Sequence, residues 1–335
     1  MANLMITTAC NFKCDYCFGK EMINTKRPYQ TMEWKLFMNI LEWIDRVNMP
    51  RMSIHLMGGE PSLSPLFGDM IGELAPRKRD IVIFSNAAAP VEGKTLKDSV
   101  RLGARWIVNC NPPSTYPENQ LKNLHNHLSI LGEAACLSFN IVSPSTEFDY
   151  LFDYIEEFKL NPIIKIGVAL PTLGHKNVYA KQDDFPRIAA RIMELYERAQ
   201  RSGVNIQFEC GVPYCLFTPV QHERLEDIMV SHCHSRLDIT PIGNVINCLP
   251  LCSVAAIPYS CFSSYSQAQE WFHKAFFPYS SLGITSKCLK CEDLAEGRCQ
   301  ACLAHILGNL NRIVLPPLPG SERRTTIRLN ALSPE

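Results

Sequence analysis

Three cysteines fall within the first seventeen residues, spaced Cys10-x3-Cys14-x2-Cys17 in the run Thr8–Phe18. Three thiolates on one short loop can hold three irons of a 4Fe–4S cube and leave the fourth iron open. The same thiols would serve a structural zinc loop, or could be unrelated. Tyr16, just before the third cysteine, brings an aromatic face to the same spot. The turn Gly58-Gly59-Glu60-Pro61 begins forty-one residues after Cys17. Two glycines without Cβ atoms allow a backbone to approach a ligand closely.

A second set of cysteines lies late in the chain, ten of the fifteen falling between Cys210 and Cys302. Cys233-x9-Gly243-x4-Cys248 brackets Leu237–Asn247, which reads as two short strands joined by a Pro-Ile-Gly-Asn turn with a thiol at each end. Further on stands Cys288-x2-Cys291-x7-Cys299-x2-Cys302. Such pairs could bind one tetrahedral zinc or further iron–sulfur clusters.

The elements that must position these residues alternate up to about residue 210. Strand-like runs are Leu4–Thr8, Ser53–Met57, Ile81–Phe84, Arg105–Asn109, Cys136–Asn140 and Ile163–Ala169. Amphipathic stretches lie between and after them at Thr31–Val47, Leu63–Leu74, Leu96–Leu102, Gln120–Leu131, Phe148–Phe158 and Asp184–Ser202. Six β-α repeats of this kind predict parallel strands covered by helices. The cluster loop follows the first strand and the glycine turn follows the second.

Together these features resemble the radical S-adenosylmethionine (radical SAM) enzymes. The resemblance implies an α/β fold: a partial (β/α)6 barrel over residues 1–205, then a small cysteine-rich α+β domain over 206–312 and a proline-containing tail over 313–335. In that family the cluster's open iron chelates the amino and carboxylate groups of the methionine moiety, and reductive cleavage releases a 5′-deoxyadenosyl radical. Gly58, Gly59, Glu60 and Pro61 would then bind the methionine amino group. Ser85, Asn86, Asn109 and Asn140 end strands and would reach the ribose or the methionine carboxylate, although strand-end capping would use the same residue types. Lys165 would pair a carboxylate if it faces inward. The run from Ile166 through Val168 would pack the adenine. Cys110, Cys136, His55 and His175 also lie near strand ends, but a lone cysteine is more often a small apolar side chain, and no catalytic role is assigned to any of them.

The late cysteines resemble the SPASM and Twitch extensions of the family, which bind auxiliary 4Fe–4S clusters. A SPASM-like scheme puts Cys233, Cys248 and Cys302 on one cluster, with Cys215 or Cys210. It leaves Cys288, Cys291 and Cys299 on a second whose fourth ligand is open or not a cysteine. A Twitch-like scheme puts Cys233, Cys248, Cys288 and Cys291 on a single cluster. The match is partial: the last four cysteines depart from the SPASM spacing, and no cysteine follows Cys302. Cys252 and Cys261 fall outside both schemes.

The formal net charge of zero and the lack of a basic stripe argue against nucleic acid or an anionic membrane as partner. No signal segment or membrane-length apolar run is present, and fifteen cysteines without a secretion signal imply ligation in a reducing cytoplasm. The cluster strand begins with the chain, so no leader-peptide-recognition domain is expected ahead of it. The resemblance implies a peptide or protein substrate modified by crosslinking, dehydrogenation or epimerisation, and an electron donor such as flavodoxin or ferredoxin. The alternatives are a dehydrogenase or mutase acting on a small metabolite or sugar, and a non-catalytic iron–sulfur or zinc protein.

Overall fold

Alternation along the strands decides which face of the sheet is dry. Leu4, Leu56, Ile83, Trp106, Leu137, Phe139, Ile164 and Ile166 are each no more than 2% exposed and share one face under the covering helices. Their neighbours Asn3, His55, Asn109, Ser138, Asn140, Lys165 and Gln207 line the other face, because successive side chains point to opposite sides. A computed structural model describes residues 1–23, 28–46, 52–230, 232–233, 236–300 and 302–329.

The first seven strands are β1 (Ala2–Thr7), β2 (Ile54–Gly58), β3 (Ile81–Ser85), β4 (Arg105–Asn109), β5 (Ala135–Ile141), β6 (Ile163–Val168) and β7 (Asn205–Phe208), all parallel in sequence order. The helices between them are α1 (Trp34–Asp45), α2 (Phe67–Leu74), α3 (Gly93–Arg101), α4 (Glu118–Leu131), α5 (Asp149–Phe158) and α6 (Phe185–Ser202). Helix α6 stops at Gly203, which takes the left-handed conformation at φ 66°. The expected end of the first helix, Val47, lies outside the described residues.

One strand departs from the sequence reading, and the expected hairpin takes an unexpected place. Strand β7 extends the alternation to a seventh parallel strand. It is four residues long and half exposed, so only Ile206 and Phe208 carried an apolar signal. The hairpin after Cys233 is present as β8 (Asp238–Ile239) and β9 (Asn244–Ile246), flanked by β10 (Ile257–Pro258). Strand β8 runs parallel to β1, pairing Asn3 with Asp238 and Leu4 with Ile239, so the hairpin covers the free edge of the barrel sheet.

The rest of the chain packs against this frame. After α7 (Pro219–Leu225) and the hairpin comes α8 (Tyr265–Phe276), whose Tyr265 hydroxyl donates to the Met1 carbonyl at 2.6 Å. Two short helices, α9 (Glu292–Ala295) and α10 (Leu303–Gly308), carry the last cysteines. The stretch expected as a loose proline-rich tail pairs as an antiparallel hairpin, β11 (Arg312–Leu315) with β12 (Thr325–Arg328). Trp271 fastens it by donating from Nε1 to the Pro317 carbonyl at 2.8 Å.

Candidate functional site

The cluster loop starts where β1 ends. Thr7 Oγ1 accepts from the Ala9 N–H at 3.1 Å, turning the chain out of the sheet, and the Cys17 N–H donates to the Cys14 carbonyl at 3.1 Å, tightening the second half. Cys10, Cys14 and Cys17 are all partly exposed. The Phe12 N–H donates to Cys10 Sγ at 3.4 Å, and Asn111 Nδ2 lies 3.9 Å from Cys14 Sγ. Cys10 and Cys17 border an apolar wall of Met5, Ile23, Ile246 and Leu249. Ile246 and Leu249 come from the hairpin half of the chain, so both cysteine regions share one wall.

These residues suit a 4Fe–4S cluster. Burial pushes the Cys10 thiol up to about 12 and raises those of Cys14 and Cys17, so an unliganded thiol here stays protonated. Iron supplies the positive charge that would hold them as thiolates. The donor set is three soft sulfurs with backbone and amide N–H groups aimed at two of them, a pattern that tunes Fe–S clusters.

Gly58 and Gly59 serve this loop directly. A Cβ on Gly59 would stand 2.3 Å from the Ala9 carbonyl oxygen and 2.9 Å from Cys10 Cβ, and one on Gly58 would stand 2.6 Å from the Thr7 carbonyl oxygen. The two segments are tied together by Gly59 N–H to Thr7 O at 2.9 Å and Glu60 N–H to Ala9 O at 2.7 Å. What the missing Cβ atoms permit in the structure is approach to the cluster loop, where the sequence suggested approach to a ligand.

The Glu60 side chain is wholly buried, and Pro61 is buried beside it. Its carboxylate accepts from Ser62 N–H and Oγ, from Ser85 Oγ at 2.8 Å and from the Asn86 N–H at 2.7 Å. Burial raises its carboxyl, and those hydrogen bonds counter the rise. The side-chain groups of Ser85 and Asn86 are likewise engaged. Ser85 Oγ accepts from the Ala87 N–H at 2.8 Å. Asn86 accepts from the Ala88 N–H and donates from Nδ2 to Asn11 Oδ1 at 2.8 Å. These three residues therefore brace the cluster loop.

Tyr16, Asn109 and Asn140 meet in one hydrogen-bonded chain. The Tyr16 hydroxyl donates to Asn111 Oδ1 at 2.5 Å and accepts from Asn109 Nδ2 at 3.1 Å; Asn140 Nδ2 donates to Asn109 Oδ1 at 3.2 Å. The chain links the cluster loop to the C-terminal ends of β4 and β5. Sequence reading missed Asn11, Asn111 and Asn177. Asn177 donates from Nδ2 to the Tyr16 carbonyl at 3.3 Å and accepts from the Thr172 N–H. No motif marks these three, since each lies in a loop.

Lys165 does face inward and donates to Gln207 Oε1 at 2.9 Å, with the carboxyl of Glu209 close enough to feel its charge. Ile166 and Val168 sit on the opposite face, packed in the core under the helices. Their side chains are turned away from the inner face, where the sequence reading had them packing adenine.

The late cysteines separate into two groups. The Cys248 thiol, raised by burial, is also raised by Cys233, Cys302 and Cys210 beside it. Burial pushes Cys215 up to about 11, with Cys299, Cys288 and Cys291 adding to the effect. Cys288 and Cys291 are thus close enough to Cys215 and Cys299 for their charges to be felt there. Among the described residues no three His, Cys, Asp or Glu side chains converge on one ion. A cube spaces its ligands more widely than zinc, whose sulfurs lie about 2.3 Å from one centre. Cys252 belongs to neither group, lying 3.6 Å from Glu21 Oε2. Cys261 is exposed.

The sequence profile of the Radical SAM superfamily matches residues 4–230. The tungsten-containing aldehyde ferredoxin oxidoreductase cofactor-modifying protein of Pyrococcus furiosus is 23% identical over 245 residues, covering 72% of this chain and 57% of that protein. The chain therefore spans little more than half the length of that curated relative. A tagged anSMEcpe with bound AdoMet superposes with a TM-score of 0.66 at 15% identity, covering 87% of this chain and 83% of that one. Streptococcus suis SuiB bound to precursor peptide SuiA superposes with a TM-score of 0.54 at 16% identity, covering 76% of this chain and 60% of that one. The profile covers well over half of the residues, including the Cys10–Cys14–Cys17 loop and the Gly58–Pro61 turn: this chain belongs to the radical SAM superfamily.

Proposed function

We propose that this protein modifies a peptide or protein side chain by hydrogen abstraction, with a crosslink, a dehydrogenation or an epimerisation as the result. The observation that carries the reading is the crowding of ten cysteines into residues 210–302 beside a radical SAM barrel, with the Tyr214 N–H reaching Cys299 Sγ at 3.4 Å across eighty-five residues. That arrangement resembles the SPASM extension. The fold likeness to SuiB, solved with its precursor peptide, supports it.

Cys10, Cys14 and Cys17 would hold the SAM-binding cluster, and the Gly58–Pro61 backbone would receive the methionine end. With S-adenosylmethionine bound and one electron supplied, this centre furnishes a 5′-deoxyadenosyl radical able to take hydrogen from an unactivated carbon. The chain's own residues position and shield. The Tyr16–Asn109–Asn140 chain offers hydroxyl and amide groups to ribose or carboxylate. The wall of Met5, Ile23, Ile246 and Leu249 keeps water from the cysteine loop. Lys165 and Glu209 stand close together on the inner face, where a peptide backbone or side chain would lie. The auxiliary centres would take the electron left on the substrate.

The electron donor would be a flavodoxin or ferredoxin and the compartment the cytoplasm. Among the described residues no helix is long and apolar enough to cross a membrane. The test is anaerobic incubation of reconstituted protein with reductant, S-adenosylmethionine and candidate peptides, followed by mass spectrometry of nucleoside and substrate. A mass change on a peptide with matching 5′-deoxyadenosine is the expected result. Turnover of a free sugar or metabolite alone would replace the peptide reading. No 5′-deoxyadenosine at all would leave a non-catalytic cluster protein.

A further inference from the structure

The turn after β7 is built with more care than a connecting loop needs. Pro213 leads into a 3-10 turn at Tyr214–Leu216, and Leu216 and Phe217 are buried behind it. The Tyr214 ring stacks on His222 of α7 with centroids 3.7 Å apart and planes 13° off parallel. His222 Nε2 also donates to the Tyr214 carbonyl at 2.9 Å. Helix α7 is itself fixed by a capping box between Thr218 and Gln221. The structure thus pins both the ring and the carbonyl of the residue before Cys215.

That pinned turn faces the distal cysteines. The Tyr214 N–H donates to Cys299 Sγ at 3.4 Å, although the two residues are eighty-five positions apart. Cys291 N–H donates to the Cys288 carbonyl at 3.2 Å, so one tight turn presents both of those thiols. The chain ahead of them is pressed close: a Cβ on Gly283 would fall 1.9 Å from Cys288 Cβ. Asp293, the acid beside Cys299, is already engaged by Arg298, with Nε–Oδ1 at 2.8 Å and Nη2–Oδ1 at 2.7 Å. That carboxylate, a rival for a metal corner, is therefore occupied by a guanidinium, and Cys215 forms no disulfide.

We propose that Cys215 is the fourth ligand of a second auxiliary 4Fe–4S cluster, completing the set of Cys288, Cys291 and Cys299. The ligand comes from upstream of the distal cysteines. A cube capped by thiolates at all four corners keeps no iron for a substrate, so this centre cannot bind the substrate directly. Cys210 then belongs with Cys233, Cys248 and Cys302.

The inference rests on the reading that the late cysteines carry clusters, and the test separates the two. The parent is the full chain with Cys10, Cys14 and Cys17 all replaced by alanine, reconstituted without oxygen and assayed for iron, sulfide and electron paramagnetic resonance. About eight irons per chain are expected, two cubes' worth. A colourless parent holding zinc would sink the cluster reading itself. Adding Cys215→Ala should bring the count down to about seven with a new 3Fe–4S signal, or to about four if the cube is lost. Cys215→Ser should keep the irons and change the reduced spectrum, while Cys261→Ala should change nothing. An unaltered count and spectrum in both Cys215 variants would overturn the proposal, as would loss of all the iron from Cys215→Ala, which would mark a folding role.

Discussion

The Asn86 N–H donates to Oε2 of Glu60 at 2.7 Å, joining the turn after β2 to the turn after β3. Oε1 of the same carboxylate holds Ser62 and Ser85, and Asn86 reaches on to Asn11 in the cluster loop. Glu60 is in this way a positioning residue.

Glu60→Ala is expected to strand buried donors on Ser85 and Asn86, at about 1–3 kcal/mol for each group left without a partner. Glu60→Gln keeps the volume and one acceptor and should cost less. Urea denaturation of the metal-free protein measures the loss, and iron retained at the Cys10–Cys14–Cys17 site reports the loosened loop. An alanine variant of parental stability and iron content would refute the brace.

Gly59→Ala should empty the first cluster without touching a ligand. The added methyl group would meet the Ala9 carbonyl oxygen at 2.3 Å, far inside contact distance, and backbone atoms on both sides leave nothing soft to yield. Gly72 on α2 is the control. A Cβ there meets nothing within 4 Å, and alanine inside a helix is favoured by about 1 kcal/mol over glycine. Iron analysis of the two variants should show a large deficit in the first and none in the second.

Much of this was legible in the sequence because local spacing carries it. The cluster loop, the glycine turn and six of the seven parallel strands each announce themselves within a dozen residues. Register and partner choice do not. Nothing near Cys215 says that it will lie beside Cys299, since their closeness follows from α7 pinning one turn while α9 holds the other. The run from Ile166 was assigned to adenine by resemblance, because an apolar run on the sixth strand packs adenine in the family. Strand alternation instead turns Ile166 and Val168 under the helices and Lys165 inward. Short strands were the other blind spot: β7 has too few residues to show a period.

Cys14→Ala should abolish 5′-deoxyadenosine formation while the late cysteines keep about eight irons. Three thiolates are the least that can hold a cube with an open corner, so losing one expels the cube or its unique iron. Cys14 is also the thiol approached by Asn111 Nδ2 at 3.9 Å, linking it to the Tyr16 network. Asn111→Ala should therefore retain iron and shift the reduced cluster's spectrum. Wild-type cleavage of S-adenosylmethionine by Cys14→Ala would show the assignment of the loop to be wrong.

His55 gives the fold a dependence on pH. It stands on the inner face of β2, 7% exposed, with Nε2 at 3.1 Å from Ser53 Oγ and its ring 5.5 Å from Phe84. Burial lowers its pKa from 6.5 to about 4, helped by Arg236, the N-terminus, Arg105 and Lys165. The unfolded chain then takes up a proton below pH 6.5 that the folded chain refuses. The stability tied to neutral His55 is complete above that pH and is lost as pH falls toward 4, by about 3 kcal/mol in all. Asp238 on the same face works in the opposite sense, because burial raises its carboxyl to about 7 and folding binds a proton there. The two slopes overlap, so the parent profile alone cannot assign either. The difference between the parent and His55→Gln, followed by urea denaturation from pH 7.5 to 4.5, isolates the histidine. That difference should shrink steadily as pH drops; a pH-independent difference would mean that His55 titrates normally in the fold.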